Sequence, residues 1–145
     1  MTLEFTKLHG AGNDYIAIDG RGIERDWGAL SKAMSVPAFG VGSDGIVLAQ
    51  DSDIAQIRMR VYNPDGSEAE MSGNGIRLFA KFVIDRKLAL PSDNGLTVET
   101  GGGVRTVWPT MEGDKMVAAK VAMGEPTFIP DEIPVNTTEI GDLEI

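Results

Sequence analysis

The sequence has no cysteine and one histidine, His9. Without cysteine, disulfides, thiolate metal sites and a thiol nucleophile are all excluded from this chain. A His-rich metal cluster or a Ser-His-Asp triad would rest on His9 alone, and the residues around it favour neither. It reads as a hydrogen-bonded loop histidine. Basic residues are also scarce: 13 Lys and Arg face 22 Asp and Glu, for a formal net charge of −9. Nucleic acids and anionic membranes select clustered Lys and Arg, which argues against both as partners. No apolar run approaches the ~18 residues of a transmembrane helix. The opening "MTLEFTKLHG" lacks the basic and apolar segments of a secretory signal, so a cytoplasmic location is expected.

Glycine is plentiful, with 18 in 145 residues, which implies many tight turns and suits short strands better than long helices. A chain of this length buries roughly 68–70% of its unfolded surface, enough for a core without covalent staples. One domain, or two small lobes sharing a core, is expected.

Along the chain, residues 3–10 alternate as a strand and enter a loop, "GAGNDY"; "YIAIDG" (15–20) is the next strand. Residues 24–34 place Trp27, Leu30 and Met34 at helical spacing. "GVGSDG" (40–45) is a turn before a short apolar strand. In residues 57–62, Ile57, Met59 and Val61 face one way and Arg58, Arg60 and Tyr62 the other. Pro64-Asp65-Gly66 then turns the chain, since proline presets φ and glycine accepts φ > 0. A three-residue loop register sets Arg60 opposite Glu70, a pair worth about 0.2–1 kcal/mol. Glu68 and Glu70 read as a solvated edge paired to Arg58 and Arg60.

After Gly73 the period changes. Ile76, Phe79, Ala80, Val83 and Ile84 sit at helical spacing, with Leu78 and Phe82 on the remaining side. A helix apolar almost all round is a buried one. Its narrow polar stripe is Arg77, Lys81 and Asp85, and "LALPSDNG" stops it near residue 87. "LTVET" (96–100), "GGGVRTVW" and residues 115–123 read as strands. The tail "FIPDEIPVNTTEIGDLEI" has loop character and breaks off near a strand. The expectation is an α+β fold: short, mostly antiparallel strands wrapped around one buried helix. Residues 1–100 form this lobe, and 101–145 begin a second set of strands.

Two stretches carry candidate chemistry. Ser72 joins a strand directly to the helix start Gly73-Asn74-Gly75. A helix N-terminus offers unpaired N–H groups and about +0.5 of partial charge, and glycines let a carboxylate or phosphate approach them. The spacing fits equally well a plain cap, with Ser72 or Asn74 as N-cap and the glycines turning the chain. "HGAGNDY" offers Asn13 as a hydrogen-bonding group, although locally it reads as a loop between strands. It lacks the third glycine and the helix of a dinucleotide site, and "GVGSDG" lacks the Gly-Lys-Ser/Thr ending of a phosphate loop. Asn63, taken alone, is a turn residue.

Three stretches, "FTKLHGAGNDY", "GVGSDGI" and "YNPDGSEAEMSGNGIRLFAKF", occur in the order and spacing of the N-terminal half of the diaminopimelate epimerase family, with "VET" and "MGEPTF" following. The chain resembles that family over essentially its whole length. The resemblance implies two pseudo-symmetric lobes, each a set of strands around a central helix, with substrate in the cleft between them. It implies interconversion of LL- and meso-diaminopimelate by two cysteines acting as an acid/base pair on opposite faces of the α-carbon. No cofactor is implied, neither pyridoxal phosphate nor metal, and the partner is a small amino acid, with a homodimer as one arrangement. By position, Asn13 and Asn63 resemble substrate-contacting asparagines, and Gly73 and Asn74 the contacts to the α-carboxyl and amino groups. Gly45 stands where some members carry a substrate-contacting glutamine.

Ser72 stands at the family's first catalytic cysteine, and the second lobe's thiol is missing, so the chain reads as part of a longer protein. A helix mouth can lower a thiol from a pKa of ~8.5 to ~3.5–7.5, whereas a serine hydroxyl is a far weaker acid and needs a neighbouring base. Either Ser72 replaces a cysteine and cripples the chemistry, or it is native and a thiol elsewhere transfers a proton on one side. A non-catalytic carboxylate-binding module and a related isomerase of the same fold with another substrate are the alternatives.

Overall fold

In the computed structural model, which describes residues 2–129 and 132–133, the change of period at Gly73 marks the start of a helix, α2 (Gly73–Asp85). Ile76, Phe79, Ala80 and Val83 on this helix are fully buried. It ends before residue 87 and without help from Pro91. Lys87 takes φ +58°, its N–H donates to Ile84 O, and the Leu88 N–H reaches back to Val83 O at 2.9 Å. These two bonds make a Schellman cap with lysine where glycine is usual.

Strands β1 (Thr6–Gly10), β2 (Asn13–Asp19), β3 (Ile46–Gln50), β4 (Ile57–Tyr62), β5 (Glu68–Ala69), β6 (Leu96–Thr100), β7 (Gly103–Glu112) and β8 (Lys115–Val121) form one sheet in the order β1-β2-β3-β4-β6-β7-β8, with β5 on β4. Most neighbours are antiparallel, as expected. Two pairs, β2–β3 and β4–β6, are parallel. A parallel pair needs a crossover of a dozen or more residues. A second helix, α1 (Trp27–Ser35), lies on the first crossover, and α2 makes the second. Helix α1 is capped by Asp26, whose carboxylate accepts from the Ala29 N–H at 2.9 Å.

The apolar run of β2 now has its explanation. Ala17 packs towards α2 while Ile16 and Ile18 belong to a second cluster with Trp27, Ile46, Leu48 and Tyr62. Strands covered on both faces read as continuous apolar runs, which is the parallel-sheet signature. The expected loop at 10–15 contracts to two residues, Ala11 and Gly12, both at positive φ, so Asn13 and Asp14 are already in β2 and His9 is in β1.

The sheet curls until α2 touches β1 at one edge and β8 at the other. It continues without a break across residue 100. Val107 of β7 and Met116 of β8 belong to the same core as Phe79. The expected ending of the chain near a strand, and most of the proline-rich tail, lie outside the described residues. Among these, no helix is long and apolar enough to cross a membrane.

The three-residue loop register holds, with Tyr62 opposite Glu68 and Val61 opposite Ala69, but the Arg60–Glu70 pair is corrected. Strand β5 ends at Ala69, and the chain bends at Glu70, whose carbonyl accepts from the Gly102 N–H at 3.1 Å. Arg60 instead forks onto Glu68, at 2.7 and 2.6 Å, while Arg58 lies 3.7 Å from Glu99. The hydrogen bonds from Arg60 hold the Glu68 carboxyl below its ordinary range.

The polar stripe of α2 fastens the edge strand. Lys81 Nζ donates to Met116 O at 2.6 Å and to Asp85 Oδ2 at 2.8 Å, and the Met116 N–H donates to Asp85 Oδ1 at 3.0 Å. Burial alone would raise the Asp85 carboxyl, but the hydrogen bonds from Lys81 and Met116 hold it below the ordinary aspartate range. A carboxyl depressed in the folded state stabilises fully above about pH 4, and that contribution is lost as pH falls through the folded value. Asp85→Ala should cost about 1–3 kcal/mol at neutral pH. In urea unfolding, the gap between the two proteins should narrow in acid.

Candidate functional site

Helix α2 carries the chain from the C-terminal end of β4 to the N-terminal end of the parallel β6. Its first turn therefore opens at the sheet end where β2 and β3 begin and β4 finishes. Topology alone gathers Asn13, the 40–45 loop, Asn63 and Ser72–Asn74 at that end. The β1–β2 hairpin presses against the helix, and a Cβ on Gly10 would stand 3.1 Å from Asn74 O.

Ser72 is extended, at φ −138° and ψ 120°, and its Oγ accepts from the Gly75 N–H at 2.9 Å. Its carbonyl accepts from the Ile76 N–H at 2.8 Å. Ser72 is thus the N-cap, and its hydroxyl hydrogen stays available for donation. Gly75 permits this geometry, because a Cβ there would lie 2.9 Å from both Cβ and Oγ of Ser72. Among the described residues, no group accepts from the N–H of Gly73 or Asn74. Two orphan donors thus sit at the positive end of the helix, where an anion is stabilised. The fold itself leaves room for a Cβ on Gly73, 3.5 Å from Cε of Met123, as the segment after β8 passes beside the mouth.

Asn13 and Asn74, 61 residues apart in sequence, meet here. Asn74 Nδ2 donates to Asn13 Oδ1 at 2.6 Å, and Asn13 Nδ2 donates to Asp44 Oδ2 at 3.2 Å. Arg77, one turn into α2, donates to Asn74 Oδ1. The Asp14 N–H shares Asp44 Oδ2 at 3.0 Å, and Lys7 ties Asp14 to the Gly42 carbonyl. Sequence reasoning did not single out Asp44 or Arg77. The i,i+3 spacing of Asn74 and Arg77 was the available signal for one. Asp44 had none, since only the β2–β3 pairing brings it to Asn13.

Asn63 lies at the same sheet end, but its amide donates to Ser67 Oγ at 3.0 Å, and its carbonyl accepts from Ser31 Oγ at 2.9 Å. No hydrogen bond among the described residues joins it to Ser72–Asn74. At Gly45, φ is +132° and a Cβ would collide with the Tyr62 carbonyl oxygen, so a glutamine there would require a different backbone. His9 faces a groove of about 310 Å³ beside the mouth, shared with Arg77, Lys81 and Met116.

The arrangement offers an anion two backbone donors; among the described residues no basic group is hydrogen-bonded to Ser72, whose hydroxyl oxygen is engaged as the helix cap. Ser72→Ala should lower stability by about 0.5–2 kcal/mol through loss of that cap, measured by denaturant unfolding.

A diaminopimelate epimerase family model matches residues 5–129. Diaminopimelate epimerases of Methanococcus maripaludis strain S2 and Desulfovibrio desulfuricans are 48% and 44% identical over 92% and 98% of this chain. The chain spans about half the length of these curated relatives, 48% and 49%. Among solved structures, an Agrobacterium vitis hydroxyproline epimerase with bound trans-4-hydroxy-L-proline superposes with a TM-score of 0.65 at 13% identity, covering 83% of this chain and 41% of that one. A Bacillus anthracis PhzF-family phenazine biosynthesis protein gives 0.58 at 21% identity, covering 78% and 36%. These two likenesses speak for the fold, and the family match with the sequence relatives goes further: the chain belongs to the diaminopimelate epimerase family.

Proposed function

We propose that this chain supplies one substrate-facing lobe of an enzyme that epimerises LL- to meso-diaminopimelate at the α-carbon, without pyridoxal phosphate or metal. The observation that carries this reading is the pair of unpartnered N–H groups of Gly73 and Asn74 at the mouth of α2, beside Ser72. They receive the α-carboxylate. Asn13 and Asn74 contribute side-chain donors, and Asn63 contacts substrate once its amide leaves Ser67. We further propose that this lobe runs through Val121 rather than ending at residue 100, because β7 and β8 complete the core around α2.

Inversion at a carbon needs a base on one face and an acid on the other. Ser72 can hydrogen-bond the substrate, but a hydroxyl without a partnered base does not take an α-proton at neutral pH. Two carboxylates at this sheet end are committed, Asp44 to Asn13 and the Asp14 N–H, and Asp14 to Lys7. On this reading the 145-residue chain holds the head group and does not turn it over.

The engaged hydroxyl of Ser72 favours a second reading, a module that binds an amino-acid carboxylate without chemistry. A longer protein carrying this lobe that binds diaminopimelate by calorimetry yet never exchanges its α-proton would establish it. A related isomerase with another substrate would show itself as tighter binding elsewhere in a panel of amino acids.

In deuterated water the 145-residue chain should leave the α-hydrogen of diaminopimelate unexchanged by NMR; brisk exchange overturns the assignment of Ser72. Ser72→Cys introduces the chain's sole thiol. Its alkylation rate against pH should show a midpoint well below the free-thiol value of ~8.5, and a midpoint at or above that value removes the electrostatic basis of the site.

A further inference from the structure

The side chains of Asp44, Asn13, Asn74 and Arg77 form an unbroken hydrogen-bonded chain whose two ends differ in kind. A carboxylate only accepts hydrogen bonds, and a guanidinium only donates them. An amide does both, at opposite atoms, and either orientation has nearly the same shape. With an acceptor fixed at one end and a donor at the other, each amide between has a single permitted orientation. Asn13 turns Nδ2 to Asp44, and Asn74 turns Oδ1 to Arg77. Each amide then keeps a second Nδ2 hydrogen with no acceptor among the described residues.

We propose that Asp44 and Arg77 are positioning residues that fix the polarity of Asn13 and Asn74, so that the mouth of α2 presents donors to a substrate carboxylate. This inference rests on the carboxylate reading above and extends it to two residues that reading does not use. Arg77 suits the role: it forms no ion pair among the described residues and is free to donate to the amide of Asn74. It spends its hydrogen bond on a neutral amide. Asp44 suits it as well, since one oxygen receives both Asn13 Nδ2 and the Asp14 N–H, which anchors the carboxylate to the start of β2. Reversed amides would turn carbonyl oxygens towards the incoming anion.

The test compares Asp44→Asn, Arg77→Met and Arg77→Lys in the 145-residue chain. Two readouts are followed: calorimetric affinity for diaminopimelate, and the side-chain amide NMR signals of Asn13 and Asn74. Coulomb's law alone says that removing the Asp44 charge should tighten binding of an anion. The polarity chain says the reverse. Asp44→Asn and Arg77→Met should each weaken binding about tenfold and alter both amide signals, because the ends no longer dictate orientation. Arg77→Lys, still a pure donor, should stay near wild type. Unfolding midpoints should be unchanged in all three. Asp44→Asn binding as well as wild type or better, or Arg77→Lys falling as far as Arg77→Met, overturns the proposal. Wild-type protein that binds no carboxylate, with amide signals that respond as stated, removes the carboxylate reading and leaves the positioning role standing. Amide signals unmoved by both Asp44→Asn and Arg77→Met remove the positioning role, whatever the binding.

Discussion

Because the sheet curls round α2 from β1 to β8, the helix cannot tilt its first turn away from the sheet end, and the fate of its four leading N–H groups is settled by the residues held there. Ile76 finds the carbonyl of Ser72 and Gly75 finds its hydroxyl. Gly73 and Asn74 find nothing within the described chain. An unpaired donor is costly only when it is buried away from water. The mouth is half-buried, with Asn13 exposed, so solvent can satisfy these groups until a better acceptor arrives. The enclosure of α2 thus does two things. It supplies most of the apolar core, and it fixes a positively poised helix end on a strongly acidic protein.

The same enclosure explains how the edge of the sheet is managed. Among the described residues strand β8 has no neighbour beyond it, yet both backbone polar groups of Met116 are occupied, by Lys81 and Asp85 from the helix beneath. An edge strand left bare is a template for pairing with other chains. Here, side chains four apart on one helix stand in for a further strand at one position, and the narrow polar stripe of the sequence has a structural use.

Local periodicity carried the sequence reading where one face or one period dominated. Strand β4 and strand β6 have the bounds that alternation implies, and α2 begins where the period changes, because a buried face selects its residues at every turn. What escaped was set by partners far along the chain. The parallel pairing of β2 with β3 depends on a crossover, and its sole local trace, an apolar run in β2, is shared with any buried strand. Arg60 chose Glu68 over Glu70 because β5 stops after two residues and the chain bends at Glu70. The division expected at residue 100 was read from a glycine turn, and no local pattern told that Val107 and Met116 beyond it join the core around α2. In the site, Ser72, Gly73 and Asn74 were legible as one stretch, and Asn13 through its glycine turn. The bond between Asn13 and Asn74 belongs to the fold and could not be seen before it.

Serine at position 72 separates two properties that a cysteine would combine. As an acceptor for the Gly75 N–H, a hydroxyl oxygen serves the helix well, and serine ranks among the strongest N-caps. The backbone at Ser72 is ordinary extended chain, and the lack of a side chain on Gly75 leaves room for the Ser72 hydroxyl. The architecture of the mouth therefore asks for a small acceptor and is indifferent to its acidity. Proton transfer asks for the opposite: a group whose conjugate base exists near neutral pH, which the helix field can arrange for a thiol starting near ~8.5 and cannot arrange for an alcohol. The proposed division of labour follows from this asymmetry. Seating the carboxylate depends on backbone donors and on amides fixed from both ends, none of which the hydroxyl disturbs, whereas abstraction depends on the one atom in which serine and cysteine differ.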